Sequence, residues 1–173
     1  MVVKKLLESG LEPSLLGLSL SHESPVENML CVAQRLADKH DSHCKFQRMI
    51  ITWWDIIAPR YFWQQLDTYR IGVATQSGST MHNIMKRQLS SDDFTIRTCA
   101  QSITLIEEAR KEKDFQFIKE NLPEGYLQRR IWMTNYQVLK RIIIDRRNHK
   151  LADWSVFIER IISQVDNPEL LGA

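Results

Sequence analysis

The sequence predicts one globular domain that mixes strands with packed helices, and three observations carry that reading. Phe46–Ile57, FQRMIITWWDII, is rich in β-branched and aromatic residues, the composition of a strand. Val26–His40, Cys99–Glu120 and Leu151–Val165 place apolar residues at helical spacing. The 173 residues, 43% hydrophobic and 25% charged, suit a single core of moderate size.

In chain order, Val2–Glu8 reads as a short strand closed by Gly10 and Pro13. Leu15–Leu20 is apolar, and Ser19–Pro25 reads as a loop. The helix over Val26–His40 turns Met29, Leu30, Ala33, Leu36 and Ala37 to one side. In Phe46–Ile57, Met49, Ile51 and Trp53 alternate with Ile50, Thr52 and Trp54. Both faces are mostly apolar, which predicts an inner strand covered on both sides. Trp53, Trp54 and Trp63 are expected in the core. Pro59 suits the first turn of a helix, whose apolar stripe is Phe62, Leu66 and Tyr69, flanked by Gln65 and Arg70.

Gly72–Thr80 is small and polar, the chemistry either of a loop that turns backbone N–H groups to an anion or of an ordinary surface loop. Ser79–Ser91 reads as a helix through Met81, Ile84, Met85 and Leu89, and Ser91-Asp92-Asp93 as a turn or cap. Cys99–Glu120 reads as one amphipathic helix, with Ile103, Ile106, Ala109 and Phe117 inside. Its charges Glu107, Glu108, Arg110, Lys111 and Lys113 then face water. As a helix, Met133–Arg147 aligns Asn135, Leu139, Ile142 and Arg146 on one face. An amide and a guanidinium then stand at the two ends of an apolar face, about 16 Å apart. Spacing alone leaves open whether they join a site or reach water at the core's rim. In the last helix, Leu151–Val165, the stripe is Trp154, Phe157, Ile158, Ile161 and Ile162; Asn167-Pro168 ends it and a tail follows.

Composition narrows the function classes. A net charge of +2 with no dominant basic stripe argues against a nucleic-acid binder, and the Arg141–Lys150 run reads as a solvated face to which only Arg146 adds a site residue. No apolar run approaches a membrane span, and no secretory signal is visible. With three cysteines, an odd number without metal spacing, reduced thiols in the cytoplasm are expected. His40, His43 and Cys44 cluster but lack a fourth ligand, so no metal is expected. Asp55 and Asp67 read as caps or ion-pair partners. There is no P-loop, G-x-G-x-x-G or G-x-S-x-G.

An ordered series of motifs resembles the flavin-dependent thymidylate synthases. That family carries an Ala-Pro helix with a Gln, an Arg-His-Arg triplet, a Glu-x-Ser-Gly-Arg loop, a Leu-Pro, and an Asn-x-Arg-Ser-Leu helix with an Arg eleven residues after its Asn. Here Ala58-Pro59, Gln65, Thr68-Tyr69-Arg70 and Gln76-Ser77-Gly78-Ser79 follow in that order, then Leu122-Pro123, Asn135–Leu139 and Arg146. His43, fifteen residues before the Ala-Pro, and Lys119, four before Pro123, match a family histidine and a basic position. The resemblance covers about Ser42–Phe157. The departures remove positive charge: the triplet keeps only Arg70, Ser79 or Thr80 stands at the loop's Arg, and Gln137 at the helix's.

The resemblance implies an α+β fold with an antiparallel-rich sheet and packed helices. It implies a homotetramer with shared active sites that methylates dUMP, a pyrimidine deoxynucleotide, to dTMP. FAD would be its flavin, with NADPH and methylenetetrahydrofolate as co-substrates. Arg146 would hold the pyrimidine carbonyl, and Gln76 and Ser77 would share the catalytic role. Gln65, Gly78, Ser79, Thr80 and Lys119 would bind the nucleotide; His43, Tyr69, Arg70, Asn135, Gln137 and Arg141 would line the flavin. The lost charges equally fit a fold-retaining relative that binds or modifies another nucleotide without FAD, or a non-catalytic interaction protein on the same scaffold.

Overall fold

The fold, seen in a computed structural model that describes residues 1–39 and 42–172, is built on one four-stranded sheet in the order β1-β2-β4-β3. These strands are β1 (Val2–Ser9), β2 (Ile51–Pro59), β3 (Ala74–Ser77) and β4 (Leu127–Asn135). The helices are α1 (Leu11–His22), α2 (Met29–Ala37), α3 (Arg60–Leu66), α4 (Thr80–Asn83), α5 (Ala100–Glu112), α6 (Phe115–Asn121), α7 (Tyr136–Arg146) and α8 (Ala152–Ile162). Along β2 and β4 the pairs Thr52/Thr134 and Arg60/Tyr126 run in opposite senses, so the two strands are antiparallel. The architecture is α+β, as expected. The inner position expected for the Trp53-Trp54 strand is also found: Thr52, Trp54, Ile56 and Ala58 are all inaccessible, while the alternate residues are half-buried.

By its contacts the chain forms two compact units that interleave in sequence. The first is Met1–Ile56, Tyr69–Thr75 and Ile131–Ala173; the second is Ile57–Thr68 and Gln76–Arg130. In the first unit, α8 buries Trp154, Phe157, Ile158 and Ile161, as its spacing foretells. Trp132 and Trp154 both meet Phe157 edge-on, with centroids 6.1 and 5.8 Å away. β1 gives way to α1 at Gly10, whose φ of +97° admits no side chain without strain, and a Cβ there would lie 2.0 Å from the Met49 carbonyl oxygen. The second unit packs Ile84, Leu89, Phe94, Ile106, Ala109, Ile118, Leu122 and Tyr126 into its own core.

Several boundaries differ from the sequence reading, each for a local reason. Ser19–His22 is helical rather than loop, and within it the Ser19 and Ser21 hydroxyls satisfy themselves on the Leu16 and Gly17 carbonyls of the same helix. Lys45–Arg48 forms a 3-10 turn, closed by the Gln47 and Met49 N–H groups, so β2 begins later than Phe46. The helix over Ser79–Ser91 is the single turn α4, and Met81, named for its stripe, has a side chain outside the description. Ser90 instead caps a 3-10 turn reciprocally with Asp93.

The long helix over Cys99–Glu120 is broken at Lys113, which takes φ +61°, while Asp114 caps α6 by accepting the Phe117 N–H at 3.0 Å. The break changes the register, so Ile118 enters the core and Phe117 stays exposed. Glu107, expected in water, is buried: it accepts from the Leu89 N–H at 2.7 Å and from Arg110 at 3.0 Å. The tail after Asn167-Pro168 is a 3-10 turn whose Leu170 and Leu171 are fully buried.

Lys140, on α7, is also buried. Its ammonium donates to the Ala37 carbonyl and, at 3.0 Å, to the Lys39 carbonyl, which satisfies the C-terminal end of α2. Cys44, fully buried, donates its thiol to the Leu36 carbonyl at 3.0 Å beside it.

Candidate functional site

The first-unit candidates gather where α7 ends. Met133–Asn135 belongs to β4 rather than to a helix, because Trp132 and Thr134 point inward at strand period. Asn135 is the helix cap: its Oδ1 accepts the Val138 N–H at 3.1 Å. α7 then carries Leu139 and Ile142 into the core and delivers Arg146 at its last position. There the guanidinium lies 4.8 Å from the Trp154 ring centroid and 5.6 Å from that of Tyr69.

Arg146 Nε donates to the Tyr69 hydroxyl at 3.0 Å, and that hydroxyl donates to Asp145 at 3.3 Å. Tyr69 lies beyond α3, not on its stripe, and packs edge-on against Trp154 at 6.4 Å. Burial pushes the Tyr69 phenol above its ordinary pKa, against the opposing pull of Arg146. Among the described residues the two Nη groups of Arg146 find no hydrogen-bond partner. The guanidinium is thus fixed on two aromatic faces with its forked donors available to a planar acceptor.

The remaining flavin candidates on this unit are more dispersed. Arg141 joins the cluster through Asp145, 3.5 Å away on the exposed face of α7. Gln137 Oε1 is held by Arg48 Nε. The Asn135 Nδ2 lies against Gly72, where a Cβ would come within 2.4 Å and where φ is +73°. His43 and Arg70 are exposed.

The second unit carries the other candidates, and here the loop expectation fails. Ala74–Ser77 is a strand at the sheet edge, with all four residues exposed, including Gln76. The Gly78 N–H donates to the Arg129 carbonyl at 2.9 Å, and the Gly78 carbonyl accepts from Gln128 Nε2 at 3.0 Å. The Gly78 peptide group is therefore engaged in pairing with β4. Thr80 Oγ1 accepts from Lys119 Nζ at 2.8 Å, so those two candidates do meet. Gln65 is half-buried on α3, and its carbonyl accepts the Thr68 hydroxyl at 2.7 Å.

Beside Gly78 and Ser79 opens a cleft of about 350 Å³, lined further by Asn83, Lys86, Arg87 and Arg129. Its opposite wall is Leu89, Tyr126, Leu127 and Gln128. Arg87 is clamped by Asp93 through both carboxylate oxygens; the pairing raises the guanidinium pKa and holds the carboxyl below the usual range. Sequence reasoning passed over these cations, although the Lys86-Arg87 pair a few residues after a small-residue stretch was a visible signal. It also read Trp154 purely as core; the ring is core, and its face carries Arg146.

Asp67 forms a bidentate pair with Arg130 at 3.0 Å, the ion-pair role expected of it. Among the described residues no three potential metal ligands come together, and no helix is long and apolar enough to cross a membrane. His40, named with His43 and Cys44, lies outside those residues.

The sequence matches no protein-family model and no curated protein. The structure, however, matches the Helicobacter pylori flavin-dependent thymidylate synthase ThyX complexed with FAD and dUMP, with a TM-score of 0.84 at 14% identity over 99% of this chain and 98% of that one. A second crystal structure of that protein with FAD and dUMP gives a TM-score of 0.81 at 16% identity, over 97% and 95%. The chain has the fold of the flavin-dependent thymidylate synthases. The likeness to the thymidylate synthase fold reaches well beyond Ser42–Phe157 and takes in β1, α1 and α2.

Proposed function

We propose that the protein is a divergent enzyme of the flavin-dependent thymidylate synthase type. It would methylate dUMP to dTMP with methylenetetrahydrofolate and FAD reduced by NADPH, as a cytoplasmic homotetramer. One observation carries the reading: the fold is shared over nearly the whole of both chains with structures described as complexed with FAD and dUMP. The caged Arg146 supports it, since a guanidinium held by two rings, its Nε already bonded to Tyr69, suits a pyrimidine carbonyl. In an assembly whose active sites are shared between subunits, Gln65, Gly78–Thr80 and Lys119 would contact a nucleotide, with Gln76 and Ser77 beside the reacting ring.

The first unit's donor set fits a flavin dinucleotide. Arg70 and Arg141 are exposed guanidiniums suited to a pyrophosphate, with the exposed His43 and the half-buried Tyr69 as further contacts. Asn135 and Gln137 would contribute through their amide nitrogens, because each amide oxygen already accepts a hydrogen bond. When bound, the flavin supplies the reducing hydride; the protein's part is to bind, orient and exclude water.

Visible absorption of the purified protein, before and after FAD addition and removal of the excess, tests this reading. Retention near one flavin per subunit, followed by dTMP formation from dUMP, is the expected result. Retention of none removes the cofactor and the synthase reaction with it. A second reading, a relative that binds a nucleotide without flavin, is favoured by the internal engagement of Tyr69 with Arg146 and Trp154. It predicts dUMP binding with no flavin retained.

A further inference from the structure

We propose that the second unit's cleft seats the phosphate of a phosphomonoester and that the Lys86 ammonium is the side chain that recognises its charge. This rests on the nucleotide reading above and adds a residue to it. Three cationic side chains, Lys86, Arg87 and Arg129, line the cleft, and no acidic side chain does among the described residues. Gly78 is paired to β4 through both its N–H and its carbonyl, so its own peptide N–H is not free to donate to an anion. The cationic residues are then the source of positive charge at the cleft, which a cradle of peptide groups alone would lack.

Arg87 and Lys86 play different parts. Arg87 is tied to Asp93, which fixes the cleft's rim and offsets one positive charge. Lys86 is exposed, and among the described residues its ammonium reaches the Asn83 amide oxygen at 3.5 Å, a weak contact that an anion would displace. Asn83 and Gln128 add amide donors at the margin. Leu89 and Tyr126, both buried, make the facing wall apolar, as a group with a charged end and a carbon-rich body requires. A volume of about 350 Å³ admits a phosphate with its attached sugar.

Calorimetric titration of the full chain with dUMP, 2′-deoxyuridine and inorganic phosphate tests the assignment, in the wild type and in Lys86→Ala, Lys86→Arg and the control Lys111→Ala, an exposed residue that does not line the cleft. Loss of one charge-assisted contact predicts dUMP binding about tenfold weaker in Lys86→Ala, with 2′-deoxyuridine unchanged. Lys86→Arg and Lys111→Ala should bind dUMP as the wild type does. Equal dUMP affinity in wild type and Lys86→Ala overturns the proposal, as does an equal loss for 2′-deoxyuridine. If the wild type binds neither nucleoside nor nucleotide, the nucleotide reading fails separately. The cleft is then judged on inorganic phosphate: thermal stabilisation by phosphate that Lys86→Ala abolishes supports it, and no stabilisation in the wild type refutes it.

Discussion

Replacing Tyr69 by Phe keeps the ring against Trp154 and removes only the hydroxyl that holds Arg146 Nε at 3.0 Å. A hydrogen bond to a charged group contributes about 1.5–3 kcal/mol, and partial exposure of both groups reduces this to about 1 kcal/mol. The stacking of the guanidinium on Trp154, worth about 0.5–1 kcal/mol, survives the substitution. Tyr69→Phe should therefore lower the unfolding free energy by about 1 kcal/mol, a fall in Tm of about 2–4 °C for a chain of this size. With Arg146 less firmly aimed, dUMP affinity should fall about fivefold, whereas Arg146→Ala should abolish it with the fold intact. Urea denaturation of Tyr69→Phe, Arg146→Met and the double variant isolates the pairwise contribution. A coupling of about 1 kcal/mol is the expected result. Single-variant effects that add to within about 0.3 kcal/mol would show that the phenol does not position Arg146.

Lys140→Met keeps the bulk of the side chain but removes the ammonium donor from the Ala37 and Lys39 carbonyls at the end of α2, leaving the longer Cys44 thiol contacts; a loss of about 2 kcal/mol, or about 4–8 °C in Tm, should appear by circular dichroism. Burial pushes the Glu107 carboxyl up, but Arg110 and the Leu89 N–H pull it down further, and its net folded pKa lies below the ordinary value. Its stabilisation is then fully present above the unfolded pKa of about 4.3 and lost as pH falls through the folded value. Denaturation curves between about pH 3 and 6 should show a shallower acid slope in Glu107→Gln; an unchanged slope would mean the carboxylate is not held charged. Gly72→Ala forces a side chain into left-handed backbone and against the Asn135 amide, so it should cost about 1–2 kcal/mol and leave α7 more frayed in hydrogen exchange.

The legible parts of the fold were those where one physical signal acted alone. The aromatic, β-branched run around Trp54 lay in an inner strand, and the Trp154–Ile161 stripe packed as spaced, because burial dominates both. Misreadings arose where a short polar side chain competed with periodicity. Asn135 ended a strand and capped a helix at one end of an apparent helical face, and Asp114 cut a long amphipathic helix in two. The edge strand at Ala74–Ser77 was hidden because its small polar residues resemble a loop, and only pairing with β4 defines it. Of the candidate residues, Tyr69, Arg141 and Arg146 came together, as did Thr80 and Lys119. Arg129 is legible only in the fold, since nothing local to it shows that it borders the same cleft as Lys86.

The interleaving of the two compact units bears on how the chain acquires its structure. The polypeptide passes from one unit to the other after Ile56, Thr68, Thr75 and Arg130, so no single cut separates them. During synthesis the first unit cannot close until Ile131–Ala173 has been made, although its opening segment emerges first. Residues 1–56 must wait, with apolar surface uncovered, for partners more than seventy positions later in the chain. Such distant closure raises the mean sequence separation of native contacts and slows folding. The middle segment Gln76–Arg130 meets most of its neighbours locally and can gain order while the rest is still unfinished. A fragment beginning at residue 57 therefore keeps the second unit's complete sequence, while every fragment that stops before residue 131 leaves the first unit without Arg146 and the Trp154 ring it rests on.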